Sequence, residues 1–188
     1  MKNNIQDSYS LINTCHFNMG KKKNKVAFVF SCPGQNEEKA QKPVAGQTGK
    51  NLDALLVYLN KKNSTIFRDT DRYEYRITNA WDKVEFESRT GRSEATQKEI
   101  KEEENLLRIE NELKGMNTLI LFGDRAQYIE SLLNFTGKII ESRHLSLQSI
   151  NQIEEDIHGT HLLKAQKGNT EKRLVVVTQD ILAQLDKI

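Results

Sequence analysis

Two glutamates, Glu37 and Glu38, stand inside a run of turn-forming residues, SCPGQNEEKAQKPVAGQTG, at positions 31–49. The run holds both prolines of the chain, with glycines at 34, 46 and 49. It lies between an apolar pentapeptide, VAFVF, and a leucine-rich stretch, KNLDALLVYLN. Open α/β sheets bind ligands at such places, beyond the carboxyl ends of their strands. Pro33-Gly34 turns the chain, and the glycine lets the backbone approach something flat or charged. Gly46 and Gly49 repeat the device just before a helix N-terminus, which attracts anions. The run lacks the glycine–lysine–serine ending of a Walker loop, and its glycine spacing is not that of a dinucleotide fingerprint. Its length favours a functional loop over a plain surface connection. Other chemistry-bearing residues are sparse. Cys15 and Cys32 cannot furnish a four-cysteine zinc or iron–sulfur site. His158 and His161 are too few for a metal and read as part of a polar turn.

The elements that must hold this loop follow an alternating pattern. Residues 26–31 read as a buried strand, because β-branched and aromatic residues run without alternation. Residues 51–59 read as a helix with Leu52, Leu55, Leu56 and Leu59 on one face and Thr48 as a cap. Strands are expected at 75–80 (YRITNA), 118–122 (TLILF) and 138–142 (KIIES), and a fifth at 174–178 (LVVVT). A capping box, Thr96 with Glu99, opens a long charged helix to about residue 113, its buried stripe Leu106, Ile109 and Leu113. Further helices are expected at 124–133, 147–157 and 179–185. Residues 88–95 read as a loop, and 158–173 as a polar surface connection. Strands alternating with helices predict an α/β fold. The expected architecture is a three-layer α/β/α sandwich around a central, mainly parallel sheet of four or five strands.

With 188 residues, the chain is long enough for one domain with a real core. Residues 1–24 are a polar lead-in, and 174–188 form an extra strand and helix. A net charge of +2 neither requires nor excludes a nucleic-acid partner, because a local basic face matters more than the sum. Lys21, Lys22, Lys23 and Lys25 read either as a solvated lead-in or as neighbours of phosphates. The polar opening, MKNNIQDSYS, is followed by no long apolar run, which predicts a cytoplasmic protein with reduced thiols and no membrane partner.

The combination Pro33-Gly34, Glu37-Glu38, Lys42-Pro43, Gly46 and Gly49 resembles the first motif of the uracil-DNA glycosylase superfamily, specifically its iron–sulfur branch. Three more segments fall in family order. Ile77-Thr78-Asn79 is similar to the strand whose asparagine reads the base. Leu119 to Gly123 resembles the strand–glycine–helix unit before the last motif. His144-Leu145-Ser146 resembles the histidine–proline–serine motif that closes the site. The resemblance covers roughly residues 25–157. It implies a monomeric DNA glycosylase that flips a base out of the stack and hydrolyses its N-glycosidic bond.

In that scheme the departing pyrimidine gains negative charge on a ring oxygen, and His144 donates to it. Such a donor is commonly worth about 3 kcal/mol. Asn79 reads the base, since a carboxamide offers a donor and an acceptor side by side. Ser31, Cys32, Pro33, Gly34 and Gln35 wall the pocket and hold the attacking water. Glu37 acts as base or stabilises the sugar cation. Ser146 contacts a phosphate, and Leu147 or Gln148 fills the vacated stack. Lys42, Lys50 and Arg143 add phosphate contacts, together with the backbone at Gly46 and Gly49.

The chain also departs from the family pattern. The cluster cysteines are absent, so no metal or redox cofactor is implied. Val44 stands where the family has an aromatic that stacks on the flipped base, a contact worth roughly 1–3 kcal/mol. Phe30, Phe86 or Trp81 would have to compensate, or the smaller wall admits a bulkier base. Ser31 replaces a family glutamate, and Cys32 occupies the position of a water-activating aspartate in other branches. Leu145 replaces the proline of the last motif, which would loosen the turn. These departures keep two alternatives open: a nucleobase-binding module of the same fold without catalysis, and a hydrolase of free nucleosides or nucleotides.

Overall fold

The computed structural model describes residues 13–164, 166 and 168–187. Strand β1 (Val26–Phe30) is buried along its whole length, as a continuous apolar run requires when both faces of a parallel sheet are covered. It pairs in parallel with β2 (Arg76–Asn79) on one side and β3 (Thr118–Phe122) on the other, and β3 pairs with β4 (Lys138–Ser142). The order is β2-β1-β3-β4. The register sets Phe30 beside Asn79 and Phe122 beside Ser142, so all four strands end along one edge.

Alternation along β1 divides the core into two layers. Phe28 and Phe30 face α2 (Gln47–Lys62) and α8 (Asn169–Leu185). Ala27 and Val29 face α4 (Gln97–Ile100), α5 (Glu103–Leu113) and α6 (Asp124–Gln127). The result is the expected three-layer α/β sandwich. Leu52, Leu55, Leu56 and Leu59 all lie fully buried on α2. At roughly 1.5–3 kcal/mol per side chain, they anchor that helix and the loop before it by several kcal/mol.

The expected fifth strand is not a strand. Residues 174–178 lie inside α8, whose buried positions, Leu174, Val177, Thr178, Ile181 and Leu185, follow helical spacing. Three consecutive valines suggested a strand, but packing against α2 decides the matter. Arg173, almost wholly buried, fixes the helix start by donating to the carbonyls of Ile153, Leu162 and Leu163 and to Asn151 Oδ1. The sheet therefore has four strands among the described residues.

Several helices are shorter than their sequence patterns suggested. The charged helix after Thr96 is two helices, α4 and α5, separated at Lys101-Glu102. Its capping box is present, and Ile109 and Leu113 are buried, but Leu106 is only half-buried. The segment after Ser146 is one turn, α7 (Leu147–Ile150), and α6 gives way to turns beyond Gln127. Two short helices were missed: α1 (Gln35–Ala40), inside the proline–glycine loop, and α3 (Glu87–Thr90).

The lead-in is more than a solvated tail. Phe17 is buried, and Asn18 forms an antiparallel bridge with Ile77 of β2. Lys21 and Lys23 pair with Glu74 and Asp69 on the surface. Residues 1–12 of the lead-in lie outside the described residues. Among those described, no helix is long and apolar enough to cross a membrane.

Candidate active site

At the carboxyl edge of the sheet, a cavity of about 300 Å³ opens between β1, β2 and the segment after β4. Ser31, Cys32, Gly34, Glu37 and Val44 line it from the proline–glycine loop. Asn79 comes from the end of β2, and His144, Ser146 and Gln148 from beyond β4. A second hollow of about 480 Å³ adjoins it, sharing Glu94, His144, Ser146 and Gln148 and adding Arg143 and Asp124.

His144 is positioned from three sides. Its Nδ1 accepts from the Ser146 backbone N–H at 3.1 Å, which leaves the proton on Nε2 as the donor for a ligand. Its ring meets Phe30 edge-on, with centroids 6.2 Å apart at 90°. Gly123 sits beneath it with φ +85°, and a β-carbon there would stand 3.0 Å from the His144 Cβ. Burial holds the His144 pKa below its usual value, opposed by the nearby Glu94 charge, so the ring is neutral at pH 7. Leu145 does not loosen this turn. It is fully buried, and its carbonyl accepts from Asn51 Nδ2 at 2.7 Å.

Asn79 is buried, and its neighbours fix the amide. The orientation that satisfies both ends sets Nδ2 to donate to the His16 carbonyl at 3.1 Å and Oδ1 to accept from the Cys32 N–H at 3.3 Å; the reverse would face oxygen with oxygen and N–H with N–H. A carboxamide has two N–H groups and two lone pairs, so one of each remains for a ligand.

Glu37 organises the loop. Oε2 accepts from the Gly34 N–H at 3.0 Å, closing the capping box of α1, and Oε1 accepts from the Ala45 and Gly46 N–H groups at 2.8 and 3.3 Å. With both oxygens engaged by backbone donors, its carboxyl group is fixed in place inside the loop. The expected anion contacts at Gly46 and Gly49 are therefore corrected: the Gly46 N–H is given to Glu37, and Gly49 is buried. At Gly49 the reason is a close approach. A β-carbon there would lie 1.7 Å from the Val44 carbonyl oxygen.

Val44 is buried at the wall with φ +45°, in the left-handed region that a β-branched residue rarely adopts. Strain of this kind is of order 1–3 kcal/mol and collects at ligand sites. Burial pushes the Cys32 thiol up to about 11, so it is protonated at neutral pH and cannot act as the base.

Other expected positions fall elsewhere. Pro33 is buried outside the cavity lining, its carbonyl accepting from the Glu85 N–H, and Gln35 is exposed on α1. Neither walls the pocket. Lys42 and Lys50 are exposed, with Lys42 lying 5.4 Å from the Tyr73 ring centroid. Arg143 is exposed and donates to the Ser149 carbonyl at 3.1 Å. Ser146 caps α7 through the Ser149 N–H, and Leu147 beside it is 43% exposed.

No protein-family model matches this chain, and no curated protein matches it. Three lining residues escaped the sequence reading of the pocket, Thr48, Ser93 and Glu94; of the three aromatics considered as substitutes for the missing stacking ring, Phe30 lines the cavity. Phe86 and Trp81 do not line it. Glu94 follows Arg92 by two residues in the loop after β2, which Arg92 pins. Arg92 donates in bidentate fashion to both Glu85 and Glu99, at 2.6–2.9 Å. Those bonds hold the Glu99 carboxyl down at about 2. Among the described residues, no group of three or more His, Cys, Asp or Glu is placed to hold a metal.

Proposed function

We propose that this protein is a DNA glycosylase of the uracil-DNA glycosylase type, hydrolysing the N-glycosidic bond of uracil or a modified pyrimidine after base flipping. One observation carries the reading: the His144 imidazole, whose Nδ1 is taken by a backbone N–H, and the Asn79 carboxamide share one cavity with the aromatic wall of Phe30. The base enters with its polar edge toward Asn79 and its ring beside Phe30. As the bond to the sugar lengthens, His144 donates to the ring oxygen that gathers negative charge, an effect of about 3 kcal/mol. Glu37, held by three backbone N–H groups, faces the cation-like sugar as a fixed charge. Glu94 is the carboxylate left to take a proton from the attacking water. Its contact with Arg125 Nε spans 3.4 Å and leaves much of it in solvent. The products are the free base and an abasic sugar. On the DNA side, exposed Leu147 fills the vacated stack, and Arg143 and Lys50 meet phosphates. The protein acts as a cytoplasmic monomer.

A second reading is favoured by a specific observation. The Cys32 thiol is held protonated and both Glu37 oxygens are engaged, which suits a nucleobase-binding module without catalysis. Alkali cleavage of abasic sites separates the two. Oligonucleotides carrying uracil and several modified pyrimidines are incubated with the protein, with free nucleosides alongside. Cleavage at one such base supports the glycosylase. Binding of the same oligonucleotides without cleavage supports the module, and release from nucleosides alone supports a nucleoside hydrolase.

A further inference from the structure

Among the described residues of the lead-in, the His16 carbonyl reaches the site. The His16 carbonyl accepts from Asn79 Nδ2, and the Cys32 N–H supplies Asn79 Oδ1 from the other side. The rest of His16 is anchored away from the cavity. Its Nε2 lies 3.1 Å from Glu112 Oε1, and its Nδ1 lies 2.8 Å from Thr14 Oγ1. Glu112 is itself buried and also takes Thr78 Oγ1–H and Arg108 Nη1–H. Arg108 Nη2 donates to the Asn79 carbonyl at 2.9 Å. Two residues on, Asn18 exchanges both backbone hydrogen bonds with Ile77 at 2.9 Å. The carbonyl that orients Asn79 is therefore fixed by a bridge to β2 and by a buried ion-pair network.

The orientation matters because an amide rotated by half a turn exchanges its donor and acceptor. Uracil offers an acceptor at O4 beside a donor at N3, and cytosine offers the reverse pair. A freely rotating Asn79 would accept either edge. In the fixed state, rotation would set the amide oxygen against the His16 carbonyl and the NH₂ against the Cys32 N–H. We propose that His16 is a positioning residue that locks the Asn79 amide in one orientation and thereby sets the choice between a uracil-type and a cytosine-type base. This inference rests on the glycosylase reading for its substrate, but the lock itself can be tested without turnover.

The test uses the full chain with His16→Ala and with His16→Gln, whose amide can still donate to Glu112. Hydrogen exchange of the Asn79 side-chain NH₂ is followed by NMR in the free protein. Release of uracil and of cytosine is measured on otherwise identical oligonucleotides. The lock predicts at least tenfold faster Asn79 exchange and at least a tenfold fall in the uracil-to-cytosine ratio for His16→Ala, with both restored in His16→Gln. Unchanged Asn79 exchange in a folded His16→Ala overturns the proposal, and so does an unchanged ratio with both bases losing rate equally. If the wild-type protein releases neither base, the glycosylase reading fails, and the exchange result alone decides the lock.

Discussion

Replacing Gly49 by alanine sets two local rules against each other. Gly49 lies in the first turn of α2, and helix propensity alone favours alanine there by up to about 1 kcal/mol. The new β-carbon, however, would stand 1.7 Å from the Val44 carbonyl oxygen, 2.9 Å from the Val44 carbonyl carbon and 2.8 Å from Arg72 Nε. The side chain of Arg72 can move, but the Val44 carbonyl belongs to a backbone already held at φ +45°. Relief therefore requires shifting the loop by more than 1 Å. Overpacking of this sort costs about 1–3 kcal/mol or more, and an obstacle made of backbone belongs at the upper end. Setting about 3 against about 1 gives a net loss near 2 kcal/mol. At about 2–4 °C per kcal/mol for a chain of this size, the thermal midpoint falls by roughly 4–8 °C. Thermal unfolding followed by circular dichroism reads this directly. Base release falls as well, because Val44 moves with the cavity wall. An alanine variant as stable as the wild type, or more stable, would refute the close-packing argument for this loop.

Three further outcomes follow from the same geometry. Burial lowers the folded-state pKa of His144 below its ordinary 6.5, so the unfolded chain binds the extra proton first. Stability is therefore full above about pH 6.5 and declines as pH falls toward the folded pKa; denaturant titrations across this range should show that part of the slope vanish in His144→Gln. Cys32, with its thiol pushed up to about 11, should react with iodoacetamide far more slowly at pH 8 than a small-molecule thiol does, and rapid labelling there would contradict the burial argument. Val44→Phe adds a stacking ring at the cavity wall and should raise uracil release at subsaturating oligonucleotide by roughly 5- to 160-fold, matching about 1–3 kcal/mol; no gain there would mean that stacking is not the limiting defect.

Much of the fold was legible because its strands are short, apolar and continuous. VAFVF and TLILF have few alternatives when both faces must be buried. The run from 174 to 178 was misread because valine favours strands locally, whereas the deciding contacts, with α2 and around Arg173, are distant in sequence. The site was legible where a side chain sits at a strand end. Asn79 is the last residue of β2, in register with Phe30, and His144 follows β4 by two residues. It was illegible where hydrogen bonds between distant segments decide the placement. Glu94 lies two residues beyond Arg92, whose pairing with Glu85 and Glu99 pins the loop, and Glu37 turns inward to three backbone N–H groups. Neither arrangement leaves a periodic trace in sequence, and the turn that brings His16 onto Asn79 leaves none either.

In the proposed reaction the imidazole of His144 donates to a base already bound in the cavity beside Asn79. The most direct measurement compares wild type and His144→Ala in single-turnover release from a uracil-containing oligonucleotide, with binding to the same oligonucleotide measured in parallel. Loss of one such donor, at about 3 kcal/mol, predicts a fall of roughly 100- to 1000-fold in release with binding altered less than about threefold. Equal rates in the two proteins, or a loss of binding as large as the loss of rate, would contradict the account.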